Sequence, residues 1–240
     1  MSDLPYSTIT VSGTDAFDFL QAQLAADLRH INTPRGDMDQ EDRATSADPM
    51  LSAWCNPKGR VICLFRVVKT GDDYRLIVPT ELVDAVVKRL IMFRFRAKVA
   101  FAVADASADE LGIDGSYADW RLENLRGGIA EILGTQSEQF TPHMLNLDLL
   151  NAVSVEKGCY PGQEIVARTH FRGATKRRLL RFGSASPTSV GDKVAADDRV
   201  VGEVLNAIGT DLLAVVATDK ADTALSIGDN ALLNLPLPYL

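Results

Sequence analysis

Residues 157–164 read Lys-Gly-Cys-Tyr-Pro-Gly-Gln-Glu, the most distinctive stretch of the 240-residue chain. Two glycines and a proline within five residues predict a tight turn, and a helix is expected to start at 162–168. This places the thiol of Cys159 between Lys157 and the first turn of that helix. A neighbouring ammonium and helix N–H groups both favour thiolate over thiol, so the stretch predicts a reactive cysteine with Lys157 as its electrostatic partner. A turn that buries a small, inert cysteine is the alternative.

A basic stretch surrounds and follows this turn. From 156 to 181 the chain holds seven lysines and arginines against two glutamates, although the whole chain has a formal net charge of −7. Such a patch implies a polyanionic ligand, either small, such as a polyglutamylated cofactor or a nucleotide, or large, such as RNA. A solvated strand face is the alternative that charge alone leaves open.

The overall composition, with 46% hydrophobic and 24% charged residues, is that of an ordinary globular protein. It excludes intrinsic disorder, collagen and disulfide scaffolds. Three cysteines without a C-x-x-C pair, no signal-peptide pattern and no long apolar run predict a cytoplasmic protein without a membrane segment. The acidic balance argues against wholesale nucleic-acid binding.

The hydrophobic pattern before the turn mixes strands and helices. Apolar residues at steps of three and four predict helices at 17–28 and 80–93. Alternating or β-branched runs predict strands, which are expected at 8–11, 51–55, 60–68, 74–78 and 98–103. This order indicates an α+β region. A polar, acidic loop is expected at 32–49, and 120–133 is ambiguous between helix and strand.

The texture of the chain changes after residue 175. Short β-rich runs alternate there with Gly, Asp, Pro and Ser turns, which is typical of a small all-β barrel or sandwich. We therefore expect an α+β region at 1–175 and a C-terminal β-barrel at 176–240.

Several standard sites are missing from the sequence. It contains no dinucleotide-binding fingerprint, phosphate-binding P-loop, H-E-x-x-H or G-x-S-x-G motif. Its three histidines are far apart, and its three cysteines lack the spacing of zinc or iron–sulfur ligands. We expect no resident metal.

The stretch at 157–164 resembles the YgfZ family, the folate-binding relatives of the glycine-cleavage T-protein, an aminomethyltransferase also called GcvT. The family signature K-G-C-Y-x-G-Q-E matches there without a mismatch, and agreement continues through 165–168 and 171–177. Weaker agreement extends to 11–24 and 236–239 and to the turn at Lys58-Gly59. Besides Lys157 and Cys159, the motif turn comprises Gly158, Tyr160, Pro161, Gly162, Gln163 and Glu164.

This resemblance implies a GcvT-like, YgfZ-like folate-binding α+β region followed by the small barrel. Its first lobe would be 1–103, with 104–119 as a linker and 120–175 as a remnant second lobe. Fuller-length relatives have a larger central region, so the central lobe is expected to be shortened and its cleft more open.

The resemblance also implies a function. Family members bind tetrahydrofolate, or a one-carbon derivative of it, through aromatic side chains that align with Tyr6 and Trp120. The glutamate tail of folate would suit Arg168, Arg172 and Lys176 in the basic stretch. The implied role is that of an accessory protein for iron–sulfur cluster assembly or repair, with iron–sulfur client or assembly proteins as partners. Such a protein supports tRNA-modifying iron–sulfur enzymes indirectly and uses Cys159 as its functional thiol.

One departure concerns catalysis. T-proteins carry a catalytic carboxylate just after the glycine of the hairpin, whereas this chain has no acid between Gly59 and Asp72. Aminomethyl transfer by that route is therefore not expected. Two alternatives stay open: a one-carbon transferase with another carboxylate, and an RNA- or protein-docking module that uses 168–181.

Overall fold

The computed structural model describes residues 4–31, 49–173 and 175–240. The predicted loop at 32–49 therefore falls almost entirely outside the described residues. Within them, every helix is too short or too polar to cross a bilayer.

The N-terminal region is built on a five-stranded antiparallel sheet with the order β2-β3-β4-β1-β5. Its strands are β1 (Tyr6–Ser12), β2 (Met50–Cys55), β3 (Val61–Thr70), β4 (Asp73–Pro79) and β5 (Ala100–Asp105). Side chains alternate between the two faces, so Ile9 and Val11 bury on one face with helices α1 (Ala16–Gln23) and α2 (Thr80–Arg94). Leu51 and Leu64 bury on the opposite face. All five predicted strands and the hairpin β2–β3 are present.

The first helix is shorter than its hydrophobic pattern predicts. It ends at Gln23 because Leu24 is extended, and Leu28 lies in a separate 3₁₀ turn (Leu28–His30). The chain leaves the helix here to bond to β2, where the Ala25 N–H donates to the Ala53 carbonyl at 2.8 Å. Leu20, Leu24 and Leu28 are buried in the same core, whereas Phe17 is exposed. The pattern therefore predicted burial correctly for three of its four apolar residues and overestimated the length of the helix.

The predicted linker at 104–119 is structured. After β5 comes α3 (Ala108–Leu111), whose capping box joins Ser107 and Glu110. Glu110 also accepts hydrogen bonds from Thr8 and Arg75, which fastens α3 to the sheet. The next helix, α4 (Tyr117–Arg126), begins within 104–119 and continues into the ambiguous stretch at 120–133, where a glycine turn follows it.

Residues 127–162 form no strand and contain two 3₁₀ turns (Gly134–Gln136 and Pro142–Leu145) before α5 (Gln163–Arg172). Backbone hydrogen bonds tie this segment to the hairpin: Val61 N–H donates to Phe140 at 2.8 Å, and Ala53 N–H donates to Ala152 at 3.0 Å. The segment thus covers the face of the sheet that carries Leu51 and Leu64.

The C-terminal region is a closed antiparallel barrel with the order β10-β11-β6-β9-β8-β7. Its strands are β6 (Arg177–Ser184), β7 (Lys193–Ala196), β8 (Arg199–Ile208), β9 (Asp211–Ala217), β10 (Ser226–Ile227) and β11 (Asn230–Leu235). Phe182 and Val204 fill its interior, while Leu205 and Leu213 pack outward against the 127–162 segment. The predicted α+β fold with a small C-terminal barrel is confirmed.

Candidate functional site

A small cavity lies where the sheet, α4, residues 129–132 and β8 meet. Its volume is about 40 Å³, room for a few water molecules. Its polar and aromatic lining includes Tyr6, Arg66, Trp120, Arg121, Glu131 and Asn206. We call it the Tyr6 cavity.

The two aromatic residues singled out by the sequence both line this cavity. Tyr6 is buried at the start of β1 and meets the half-buried Trp120 edge-on, with ring centroids 5.8 Å apart. Tyr117, one turn earlier on α4, stacks against Trp120 at 5.8 Å. Tyr6 is therefore not a loosely packed terminal residue but part of an aromatic cluster.

A carboxylate that the sequence did not single out lies beside this cluster. The Tyr6 hydroxyl donates to Glu131 Oε1 at 2.5 Å, and Arg121 donates to Glu131 Oε2 at 3.0 Å. Burial, and then the charge of Glu131, raise the pKa of Tyr6 far above its usual range. Asn206 of β8 fixes the Glu131 backbone through two hydrogen bonds of 3.0 and 2.9 Å. The only sequence signal was an acid inside the apolar run Ile129-Ala130-Glu131-Ile132.

An arginine from the middle of β3 closes the cavity. The Arg66 guanidinium lies 4.7 Å from the centre of the Trp120 ring and donates to Asn124 at 2.7 Å. Arg66 and Arg121 thus bring two guanidinium groups to the cavity, and Arg121 is paired with Glu131. The Tyr6 cavity combines flat rings, a hydrogen-bond acceptor and positive charge.

The turn at 157–164, which we call the Cys159 turn, is anchored by Lys157. Its ammonium is buried and donates to the carbonyls of Leu24 and Ala26 at 2.7 and 2.9 Å, and it lies 5.3 Å from the ring centre of Tyr160. Burial lowers its pKa to about 8. Lys157 is directed at the end of α1, so the predicted role as electrostatic partner of Cys159 is not supported by its contacts. The ammonium points there because the carbonyls of Leu24 and Ala26 need a hydrogen-bond donor.

Other members of the turn also bond inward. The Tyr160 hydroxyl donates to the Ser154 carbonyl at 2.9 Å, and the Gln163 amide donates to the Lys157 carbonyl at 3.1 Å. Gly162 has φ +81°, and a Cβ there would lie 2.5 Å from the Asn56 carbonyl oxygen and 2.8 Å from Gly59 Cα. The Cys159 turn therefore docks directly on the hairpin turn between β2 and β3.

The result of this anchoring is an exposed thiol. Cys159, Gly158 and Glu164 are exposed and Pro161 is half-buried, whereas Cys55 and Cys63 are buried. Burial raises the pKa of Cys55 to about 12 and that of Cys63 well above its usual range. Cys159 is thus the one cysteine that a partner or reagent can reach.

The basic stretch does not line the Tyr6 cavity, and its predicted contact with the cofactor stays a prediction. Arg168, Arg172 and Lys176 are exposed on α5 and just before β6, outside that cavity. Arg178 forms a bidentate ion pair with Asp148, and Arg181 pairs with Asp211 at 2.7 Å. These two ion pairs make the net positive charge around the basic stretch smaller than the number of its lysines and arginines suggests.

The cavity and the turn share the hairpin β2–β3. Leu51 lines the cavity near the start of β2, and Asn56 meets Gly162 just past its end. Leu51 and Asn56 are five residue steps apart along the strand, which corresponds to roughly 17 Å. Among the described residues, no three His, Cys, Asp or Glu side chains cluster as metal ligands.

Comparison with known proteins gives relatives over nearly the whole chain. The chain is 27% identical to the tRNA-modifying protein YgfZ of Enterobacter sp. and 23% identical to that of Colwellia psychrerythraea; each alignment covers 98% of this chain and 91% of the relative. An uncharacterised protein of Haemophilus influenzae is 25% identical, with 86% of this chain and 83% of that protein covered. No family model matches.

The crystal structure of the aminomethyltransferase T of the glycine cleavage system from Bartonella henselae matches the fold. Its TM-score is 0.70 at 13% identity, and the match covers 98% of this chain and 84% of that chain. The alignment with the Enterobacter protein runs over 310 positions, whereas this chain has 240 residues, so that relative carries segments missing here. These matches confirm the resemblance drawn from residues 157–164.

Proposed function

Since the chain is a relative of the YgfZ proteins, we propose that it binds tetrahydrofolate in the Tyr6 cavity and acts in iron–sulfur cluster assembly or repair. In this role it supports tRNA modification through iron–sulfur enzymes, with Cys159 as the thiol that meets the client or assembly protein. The observation that carries the proposal is the convergence of Tyr6, Trp120 and Glu131 on one cavity.

The residues of this cavity fit the chemistry of a folate. A reduced pterin is a largely flat ring with a row of N–H donors on its pyrimidine edge. Each oxygen of Glu131 has a second lone pair for such a donor, beside the bond it accepts from Tyr6 or Arg121. Tyr6 and Trp120 offer aromatic surface to the ring. Arg66 lies over the Trp120 ring and Arg121 pairs with Glu131, so both arginines position groups that the pterin would contact.

The cavity has to open to admit the ring. Its volume of about 40 Å³ is far below the roughly 300 Å³ at which ligand pockets begin. The Trp120 indole, held between Tyr6, Tyr117 and Arg66, fills the space that a ligand needs. Binding should therefore move Trp120 and change its fluorescence.

A second candidate function is one-carbon transfer, which Glu131 favours. Glu131 places a carboxylate in the cavity, although the carboxylate that T-proteins carry after the hairpin glycine is missing after Gly59. This alternative requires turnover of tetrahydrofolate to a methylene adduct with an amine donor. Failure to detect the adduct while the protein still binds folate would exclude it and leave the accessory role.

The test is a titration of the purified protein with tetrahydrofolate, followed by tryptophan fluorescence and checked by calorimetry. Trp54 is fully buried away from the cavity, so Trp120→Phe leaves a reference signal. We expect saturable binding, loss of the fluorescence change in Trp120→Phe and unchanged affinity in Cys159→Ala.

The most specific test of the cavity is a substitution that removes the charge of Glu131. Glu131→Gln keeps the size of the side chain but removes the charge, and loss of charge-assisted hydrogen bonds should weaken binding about 10- to 100-fold. Glu203→Gln removes a carboxylate from the barrel, where Glu203 pairs with Lys193, and serves as the matched control. No binding at millimolar folate, or equal affinity of both variants, would refute the cavity as the folate site.

A further inference from the structure

The end of α2 carries an exposed surface that the proposed function does not use. We call residues 88–98 the α2 exit surface; they read Lys-Arg-Leu-Ile-Met-Phe-Arg-Phe-Arg-Ala-Lys. Six consecutive residues, 91–96, are exposed, including three successive apolar ones. Met92 is 70% exposed and Phe95 is 85% exposed. A run of exposed apolar side chains has no folding explanation and indicates a contact surface.

The backbone adds a second observation at Phe95. This residue ends the helix with φ +44° and ψ −108°, a conformation that is unfavourable for any residue with a bulky side chain. A glycine would relieve the strain, yet the position holds an aromatic ring that points into solvent. Strain that the fold does not need is a feature of functional positions.

All charged side chains within the α2 exit surface are basic, and the Asp15 carboxylate meets its end by accepting from the Lys98 backbone N–H at 2.7 Å. The surface holds five cations and no acid, although the chain as a whole is acidic. Arg89 pairs with Glu138 at 2.6 Å. The other four, Lys88, Arg94, Arg96 and Lys98, form no ion pair with any of the residues that the structure describes.

We propose that the α2 exit surface binds single-stranded nucleic acid. Phe93 and Phe95 alternate with Arg94 and Arg96, so exposed rings lie beside free cations. Bases stack on exposed aromatic rings, and the cations neutralise neighbouring phosphates, a combination that suits an unpaired strand of any sequence. This surface is separate from the Tyr6 cavity and goes beyond the folate proposal.

Two other occupants fit less well. An anionic membrane requires a helix that lies flat with its apolar face free, but Leu82, Val86 and Leu90 of α2 are buried on the sheet. A second copy of the chain would bring two sets of like charges together. Nucleic acid is the partner that takes up both the cations and the rings.

The test is a fluorescence-anisotropy titration of the full chain with a labelled 12-nucleotide oligouridine at several salt concentrations. We expect binding at 50 mM salt with a log–log salt slope of about −3 for four phosphate contacts. Arg94→Gln/Arg96→Gln should reduce the slope by about 1.4. Phe95→Gly should weaken binding about tenfold without changing the slope, while relieving backbone strain and leaving the urea midpoint equal or higher.

Matched controls come from other exposed groups. Leu233→Ala removes an exposed apolar side chain from the barrel, and Arg168→Gln/Arg172→Gln removes two cations from α5. Neither should change the affinity.

The proposal is overturned by absence of binding at 50 mM salt, by equal loss in the α5 variant, or by affinity that survives both Phe95→Gly and Arg94→Gln/Arg96→Gln. Preferential binding to phosphatidylglycerol vesicles with no RNA affinity would also overturn it in favour of a lipid surface.

Discussion

The Tyr6 cavity and the Cys159 turn are built in opposite ways. The cavity joins Tyr6 of β1, Arg66 of β3, Glu131 after α4 and Asn206 of the barrel, residues separated by up to 200 positions in sequence. The turn is made by consecutive residues that bond inward and leave one thiol outside. A consecutive motif is visible in a single sequence, whereas a cavity assembled by the fold is not.

The difference also concerns rigidity. The turn depends on backbone geometry and a close approach to the hairpin. Adding even a methyl group at its centre should therefore lower the free energy of unfolding substantially. The cavity depends on side-chain hydrogen bonds around Glu131, each of which contributes about 1 kcal/mol. Substitutions should therefore damage the two regions to different degrees and independently of each other, since they lie roughly 17 Å apart along the hairpin.

The largest effect is expected for Gly162→Ala. The added Cβ would overlap the Asn56 carbonyl and Gly59, and φ is +81°. We expect a loss of about 3 kcal/mol in unfolding free energy, measured by urea denaturation. Gly158→Ala is the control, since a Cβ there meets nothing within 4 Å, and it should stay within about 0.5 kcal/mol. Equal losses in both variants would show that the docking on the hairpin does not hold the turn.

A somewhat smaller effect is expected for Lys157→Met. Methionine fills similar space but leaves the carbonyls of Leu24 and Ala26 without their donor, which should cost about 2 kcal/mol. If Lys157 acted mainly on the thiol, stability would change little and the reactivity of Cys159 would fall instead. Urea denaturation and the rate of thiol labelling distinguish the two roles.

The pH dependence of the same variant tests the burial of the ammonium. The pKa of Lys157 is lowered to about 8, below the value of about 10.4 in an unfolded chain. Between these values the unfolded chain binds more protons, so the contribution of Lys157 to unfolding free energy rises with pH. The gap between wild type and Lys157→Met should widen from pH 7.5 to 9.5. A constant gap would mean that the ammonium is solvated.

The sequence predicted much of the fold because its patterns are local. Alternation identified the strands of the first sheet, and turn residues identified the barrel. It failed where tertiary contacts decide the outcome: α1 stops at Gln23 so that Ala25 can bond to β2, and 104–119 is held by Glu110 on Thr8 and Arg75. Neither contact has a local signature.

The site was predicted unevenly for the same reason. The motif identified Cys159, and family alignment identified Tyr6 and Trp120, whose placement on one cavity only the fold reveals. Glu131 was missed because an acid in an apolar run has no partner visible in sequence. The unpaired positive charge of the basic stretch was overestimated, because a count of cations does not show that Arg178 and Arg181 form ion pairs.

A moderate effect is expected in the cavity for Tyr6→Phe. The variant keeps the ring contact with Trp120 but removes the hydroxyl that donates to Glu131. We expect a loss of about 1 kcal/mol in unfolding free energy and no change in the labelling rate of Cys159. A changed labelling rate would show that the cavity and the turn are coupled, which would contradict their independence.

The smallest effect on stability is expected for Cys159→Ser, because an exposed side chain with no packing role tolerates a hydroxyl. The unfolding free energy should change by less than about 0.5 kcal/mol, whereas Cys63→Ser places a hydroxyl in the sheet core and should cost about 2 kcal/mol.

The native wild type should react with one equivalent of an aromatic disulfide reagent at pH 7.5, and Cys159→Ser with none, because burial keeps Cys55 and Cys63 protonated and shielded. Labelling of a second cysteine under native conditions would show that the hairpin opens, and the turn would then be a mobile lid on the β2–β3 hairpin rather than a fixed mount for the thiol.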